Sequence, residues 1–144
     1  VYPFIENLFM QEYRLLNEWN IYLIKSICKE LNIDTQFYFA SKLNNINGTK
    51  DARLVSICNA MECENYLSPV GSSVYLERET PGGELVKNGI HLYYQNYKHP
   101  AYVQLYNGFI SHLSVIDLLF NCGFESSLDV MRSGRRDFVD YITI

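Results

Sequence analysis

Asp117 sits within Leu113-Ser114-Val115-Ile116-Asp117-Leu118-Leu119-Phe120. A carboxylate with so many apolar neighbours must be paired, protonated or turned toward a site. As a site group it would handle a proton; as a structural group it would pair with an arginine or cap nearby backbone. Ser114 and Asn121 lie roughly one turn away on either side and extend the same polar stripe. Upstream, His99-Pro100-Ala101-Tyr102-Val103-Gln104 brings an imidazole, a phenol and an amide into a stretch where backbone shape, not periodicity, decides which side chains converge. His99 is the candidate general acid/base, with Tyr102 and Gln104 as candidate substrate contacts. The alternative for His99 is a structural imidazole packed by the surrounding tyrosines. His91 and His112 read as structural or exposed.

Lys50 and Arg53 fall one turn apart at the start of a helical pattern, where the macrodipole disfavours positive charge. A phosphate or carboxylate held by both cations and the free helix N–H groups would compensate them. The other reading is an open surface on which Asp51 and solvent neutralise the pair. Ser68-Pro69-Val70-Gly71-Ser72-Ser73 follows an expected strand and precedes a helical turn, the place where α/β sheets present backbone to ligands. Ser68 therefore joins Lys50 and Arg53 as a candidate phosphate-binding residue. The segment carries neither GxxxxGK[ST] nor GxGxxG, so an ordinary strand-to-helix connection also fits it.

The elements that must position these groups are read from periodicity. From Ile5 to Leu31, apolar residues recur every three or four positions, the stripe of an amphipathic helix, which Asn17 is expected to divide in two. Thr35 to Ala40 is aromatic and β-prone and reads as a strand. A helix capped by Thr49 follows, with Leu54, Ile57, Cys58 and Met61 facing a core, and then a strand from Asn65 to Ser68. Short helices are expected near Val74–Leu76 and 84–87. The strand Ile90 to Tyr97 places Ile90, Leu92, Tyr94 and Asn96 on one face. A helix from Ser114 to Cys122 should end at Gly123, and a last one should run from Ser126 to Met131. The class is α/β: a small, mainly parallel sheet flanked by helices, as in an incomplete Rossmann-like three-layer domain. Residues 1–134 read as one domain and 135–144 as a polar tail. Three strands would leave an uncovered edge, and the chain starts at Val1 without an initiator methionine, so a preceding segment is expected.

Composition narrows the function. The chain has 144 residues, 48% hydrophobic and 19% charged, with a formal net charge of −4. That balance suits one cored domain and gives no broad basic footprint for nucleic acid. No apolar stretch approaches the roughly 20 residues of a membrane span, and no signal-peptide order opens the chain, so a cytoplasmic protein is expected. Cys28, Cys58, Cys63 and Cys122 lack CxxC spacing and read as buried free thiols, with no metal site. HExxH, GxSxG and EF-hand patterns are absent from the sequence.

Several segments together resemble the WbqC-like family. They are Leu16-Asn17 with the helix to Leu31, Lys50-Asp51-Ala52-Arg53-Leu54, Tyr66-Leu67-Ser68, the run Tyr97 to Gln104, and Leu113 to Gly123. The resemblance implies a cytoplasmic bacterial protein encoded alongside enzymes for O-antigen or other surface glycans, with modification of an activated sugar as the expected activity. Members usually carry a preceding segment with Gln-Pro and Gly-Tyr-Phe motifs, and neither motif is present here. After Ser68 the family-like loop holds more glycine than Pro69-Val70-Gly71-Ser72-Ser73 does, which makes close backbone approach to a phosphate harder. Two functions follow. One is a transferase acting on a nucleotide-activated sugar, with His99 or Asp117 handling a proton and Lys50, Arg53 and Ser68 holding phosphates. It requires these residues to converge. The other is a non-catalytic module that holds a sugar, a glycan precursor or another glycan-pathway enzyme on an aromatic surface. It requires an exposed aromatic patch and an internally satisfied Asp117.

Overall fold

The computed structural model describes residues 1–143, so Ile144, the end of the expected tail, lies outside the described residues. The chain forms two compact units. One takes Val1–Gln36 and Lys98–Arg135; the other takes Phe37–Tyr97 and residues from Arg136 onward.

The first unit is helical: α1 (Tyr2–Phe9), α2 (Leu16–Glu30) and α6 (Val115–Ser133). Pro3 falls in the opening turn of α1, where its missing N–H is no loss. The apolar stripe resolves into Ile5, Leu8, Leu31 and Leu119 as the buried centre, with Phe4, Leu23, Ile27, Val115 and Phe124 packed against it. The stripe is divided as expected, but Leu15 and not Asn17 occupies the N-cap, with no side-chain bond. In α6 the hydroxyl of Ser114 accepts from the Ile116 N–H at 3.2 Å, and Asp117 lies in the first turn, where the helix dipole favours it. Gly123 interrupts α6 with φ 71° and ψ 178°, so the two expected helices meet at a kink.

The second unit holds α3 (Lys50–Ala60), β1 (Asn65–Pro69), α4 (Ser73–Leu76), α5 (Gly83–Lys87), β2 (His91–Gln95) and β3 (Val139–Asp140). The sheet order is β1-β2-β3. β1 and β2 are parallel, with Tyr66 opposite Leu92 and Ser68 opposite Tyr94, and α4 and α5 form the crossover that parallel strands need. β3 runs antiparallel to β2, so the sheet is mixed, and "mainly parallel" holds for one of its two strand pairs. The strand expected at Thr35–Ala40 is not formed; irregular backbone leads there into a 3-10 turn over Ala40–Lys42. Phe37 and Tyr38 are 41% and 58% exposed, and β-prone residues form a strand only where an edge and a packed face receive them. The alternation read for β2 is present: Ile90, Leu92 and Tyr94 are buried with Val55, Cys58, Leu76 and Leu85. The four cysteines are free, but only Cys58 is buried; Cys63 is exposed.

Tyr94 is fully buried, and its hydroxyl and the neighbouring Glu77 Oε1 lack a hydrogen-bond partner of good geometry among the described residues. Burial, reinforced by Glu77, pushes the Tyr94 phenol well above the usual phenol range. Because the contact with Glu77 that raises the phenol falls outside good hydrogen-bond geometry, Tyr94→Phe is expected to keep chemical-denaturation stability within about 1 kcal/mol of the parent. A fall of about 2 kcal/mol or more would mean that the hydroxyl is bonded.

The short β3 is held by side chains as well as by its ladder. Asp140 Oδ2 lies 2.7 Å from His91 Nε2, and Asp140 Oδ1 accepts from the Ile142 N–H at 3.0 Å. The Ile142 N–H first, and the His91 bond second, hold the Asp140 carboxyl below its ordinary 3.8. Because the folded value is the lower one, this contribution is complete above the unfolded value and is lost as pH falls through the folded one. The Ile142 amide proton, followed by NMR, is expected to titrate with a midpoint below 3.8 and to stop titrating there in Asp140→Asn.

Candidate functional site

The first unit gathers three of the sequence-derived residues around Asp117. One turn of α6 separates Asp117 from Phe120 and Asn121, so all three share a helix face, while Leu118 and Leu119 turn into the core. Asp117 Oδ2 accepts from the Tyr102 hydroxyl at 2.7 Å and from Gln104 Nε2 at 3.1 Å. Asn121 Nδ2 donates to Asp117 Oδ1 at 3.2 Å and to the Asp117 carbonyl at 2.8 Å. A carboxylate offers about four acceptor positions. Three donors therefore hold this one in place and leave it room for another. Burial, and then the bond to Asp117, raise the Tyr102 phenol above its ordinary range.

Gln104 also shapes the loop before α6. Its Nε2 donates to the Ile110 carbonyl at 3.0 Å, and its Oε1 accepts from the Ile110 N–H at 2.8 Å. The amide thus closes the 104–110 loop and joins it to Asp117. His99 is half-buried and packs on Phe109, as does Tyr102, with ring centroids 5.9 and 5.3 Å away. His99 Nδ1 lies 3.0 Å from the Pro100 carbonyl, and its Nε2 accepts from the His112 N–H at 3.3 Å. A carbonyl only accepts, so in this arrangement Nδ1 donates and Nε2 is the acceptor.

A cavity of about 480 Å³ opens beside this cluster. Gln104, Asn107, Asp117 and Asn121 are its polar lining, and Leu105, Tyr106, Ile110, Leu113 and Phe120 its apolar lining. Tyr102 and His99 are not in the lining; they stand behind Asp117 and the loop. Asn121 was legible as Asp117's neighbour on the stripe. Tyr106 and Phe120 carried no signal, because nothing in their spacing separates an exposed ring from a core one.

The other sequence-derived residues belong to the second unit. Lys50 lines a cavity of about 630 Å³ with Arg78, Lys87, Asp51, Glu79 and Glu84, so three cations there meet three carboxylates. Lys87 is already bonded to Glu84 at 2.9 Å. Arg53 is exposed and does not line that cavity. The pair was placed on one face by helical spacing, but Lys50 has a left-handed φ of 49°, which takes it off the helical track. Ser68 is buried in β1, where its hydroxyl bonds that of Ser72, itself a donor to the Pro69 carbonyl at 2.6 Å.

Among the described residues, no helix is long and apolar enough to cross a membrane, and no group of three or more His, Cys, Asp or Glu could hold a metal ion. No curated protein and no solved structure matches the chain. The model of the WbqC-like protein family matches residues 1–128, most of the chain's length. The pattern that links the Asp117 helix, the loop before it and the α2 and α3 segments is thus that family's, and the chain belongs to the WbqC-like protein family.

Proposed function

We propose that the chain binds a sugar in bacterial surface-polysaccharide (O-antigen) biosynthesis in the cytoplasm, with the Asp117 cavity as its sugar site. One observation carries this reading: a carboxylate and three amides line a single cavity together with exposed aromatic rings. Sugar hydroxyls donate to the acceptor position that Asp117 keeps free and to the Asn121 amide oxygen, and the C–H face of a pyranose packs on an aromatic ring. The internal satisfaction of Asp117 by Tyr102, Gln104 and Asn121 suits a holding role, alone or beside another glycan-pathway enzyme. Thermal unfolding with methyl glycosides is the test. A glycoside at 100 times its Kd is expected to add about 2.7 kcal/mol. No shift with any hexoside at high millimolar concentration would refute the reading.

A transferase reading, acting on a nucleotide-activated sugar, is favoured by His99 and Tyr102, whose rings pack on the same Phe109 ring. In it His99 or Asp117 moves the proton within the first unit; phosphate binding by Lys50, Arg53 and Ser68, which belong to the second unit, is a separate proposal, and of the three Lys50 lines a cavity there. The β1–β2 parallel pair would then belong to an incomplete Rossmann-like three-layer domain, residues 1–134, with 135–144 as a tail whose Val139–Asp140 segment adds β3 to the sheet. The chain passes between its two compact units at three points, which supports treating them as one domain. Product formation from a nucleotide-sugar, lost in His99→Asn, would establish this reading over the first.

A further inference from the structure

We infer that the sugar taken at the Asp117 cavity carries an apolar substituent, an alkyl or acyl group, and presents no phosphate there. This inference rests on the sugar-binding reading above. The cavity is lined by no lysine or arginine, and its one charged residue is Asp117. A phosphate would meet a like charge with no cation to offset it, so the cavity selects against the phosphorylated end of any sugar. Its apolar side is as distinctive as its polar side. Leu105 and Tyr106 are each 82% exposed and Ile110 is 66% exposed, among the most solvent-exposed large apolar side chains of the protein.

These side chains do not hang on a slack loop. The Gln104 amide bonds both the N–H and the carbonyl of Ile110, and the same Nε2 reaches Asp117 Oδ2. One side chain therefore fixes the carboxylate and the apolar strip relative to each other. A preorganised polar group bound rigidly to a preorganised apolar strip is the complement of an amphipathic molecule. An unsubstituted sugar would satisfy Asp117 and Asn121 but leave Leu105 and Ile110 in water. A substituent of several carbons covers them.

The test is calorimetric titration of the full chain with matched methyl and n-hexyl glycosides of glucose, galactose, N-acetylglucosamine and rhamnose, below any micelle concentration. n-Hexanol and the sugar 1-phosphates serve as comparison ligands. The hexyl glycoside of at least one sugar is expected to bind tenfold or more tighter than its methyl partner. Leu105→Ser is expected to bring that ratio below threefold. Equal affinity of methyl and hexyl glycosides would overturn this inference and leave the sugar-binding reading standing. A 1-phosphate that bound tighter than the methyl glycoside would overturn the exclusion of phosphate. Hexanol binding as tightly as the hexyl glycoside, or no glycoside binding at all, would overturn the sugar-binding reading and this inference with it.

Discussion

Replacing Asp117 with alanine is expected to lower unfolding free energy by about 2–3 kcal/mol and to abolish glycoside binding. The stability loss comes from what remains behind, not from the missing carboxylate. Tyr102, Gln104 and Asn121 all direct donors at it, and truncation takes the acceptor of the half-buried Tyr102 hydroxyl and leaves one N–H each of Gln104 and Asn121 unmatched beside their backbone carbonyl bonds. Each buried donor left unsatisfied costs about 1–3 kcal/mol, and water reaching the cavity side recovers part of that. Gln104 retains Ile110, so the 104–110 loop should stay closed while its link to α6 is cut. Asp117→Asn separates the contributions. The amide keeps the shape and one acceptor oxygen but turns an NH₂ toward a donor, so a loss of about 1 kcal/mol is expected. Urea unfolding midpoints with an unchanged m-value would check both figures. Equal stability of the alanine variant and the parent would mean that the three donors find water as readily as Asp117. The carboxylate would then have no positioning role.

Asp117 could be picked from the sequence because its chemistry conflicts with its neighbours, and a conflict is visible without a structure. The alternation of β2 was legible for a related reason: it is a local rule that the fold had no cause to override. The residues around Asp117 were only half legible. Tyr102 and Gln104 stood out as polar groups in an irregular stretch, but the clasp between Gln104 and Ile110 depends on a loop closure that leaves no periodic trace. Lys50 and Arg53 show the opposite failure. Their spacing was read on an ideal helix, and a single left-handed residue at the helix start took one of them elsewhere. The β-prone segment Thr35–Ala40 and the strand Val139–Asp140 trade places on the same principle. Propensity marked the first, and sheet pairing is what made the second.

Gly123→Ala is expected to destabilise the protein by about 1–3 kcal/mol through backbone conformation alone. At φ 71° and ψ 178° the residue occupies a region that glycine enters freely and L-residues essentially do not. A Cβ built there meets nothing within 4 Å, so no steric clash contributes to the loss. The sequence marked Gly123 as a helix stop, and an ordinary left-handed helix stop would tolerate asparagine nearly as well as glycine. Here ψ lies far from that of a left-handed cap, so Gly123→Asn is expected to lose as much stability as Gly123→Ala. If Gly123→Asn were much milder than Gly123→Ala in thermal unfolding, the kink would be a plain αL cap. The kink also divides α6 by task. Before it, Asp117, Phe120 and Asn121 face the cavity; after it, Phe124 packs edge-on against Phe4 at 5.3 Å, and the Ser127 hydroxyl bonds the Gly123 carbonyl. A residue that drew this segment toward a continuous helix would change the direction in which Phe124 leaves the chain. The core would then oppose the straightening that the helix itself favours. Gly123 allows both faces of α6 to be satisfied at once, so its replacement should weaken glycoside binding as well as stability, although the residue does not line the cavity.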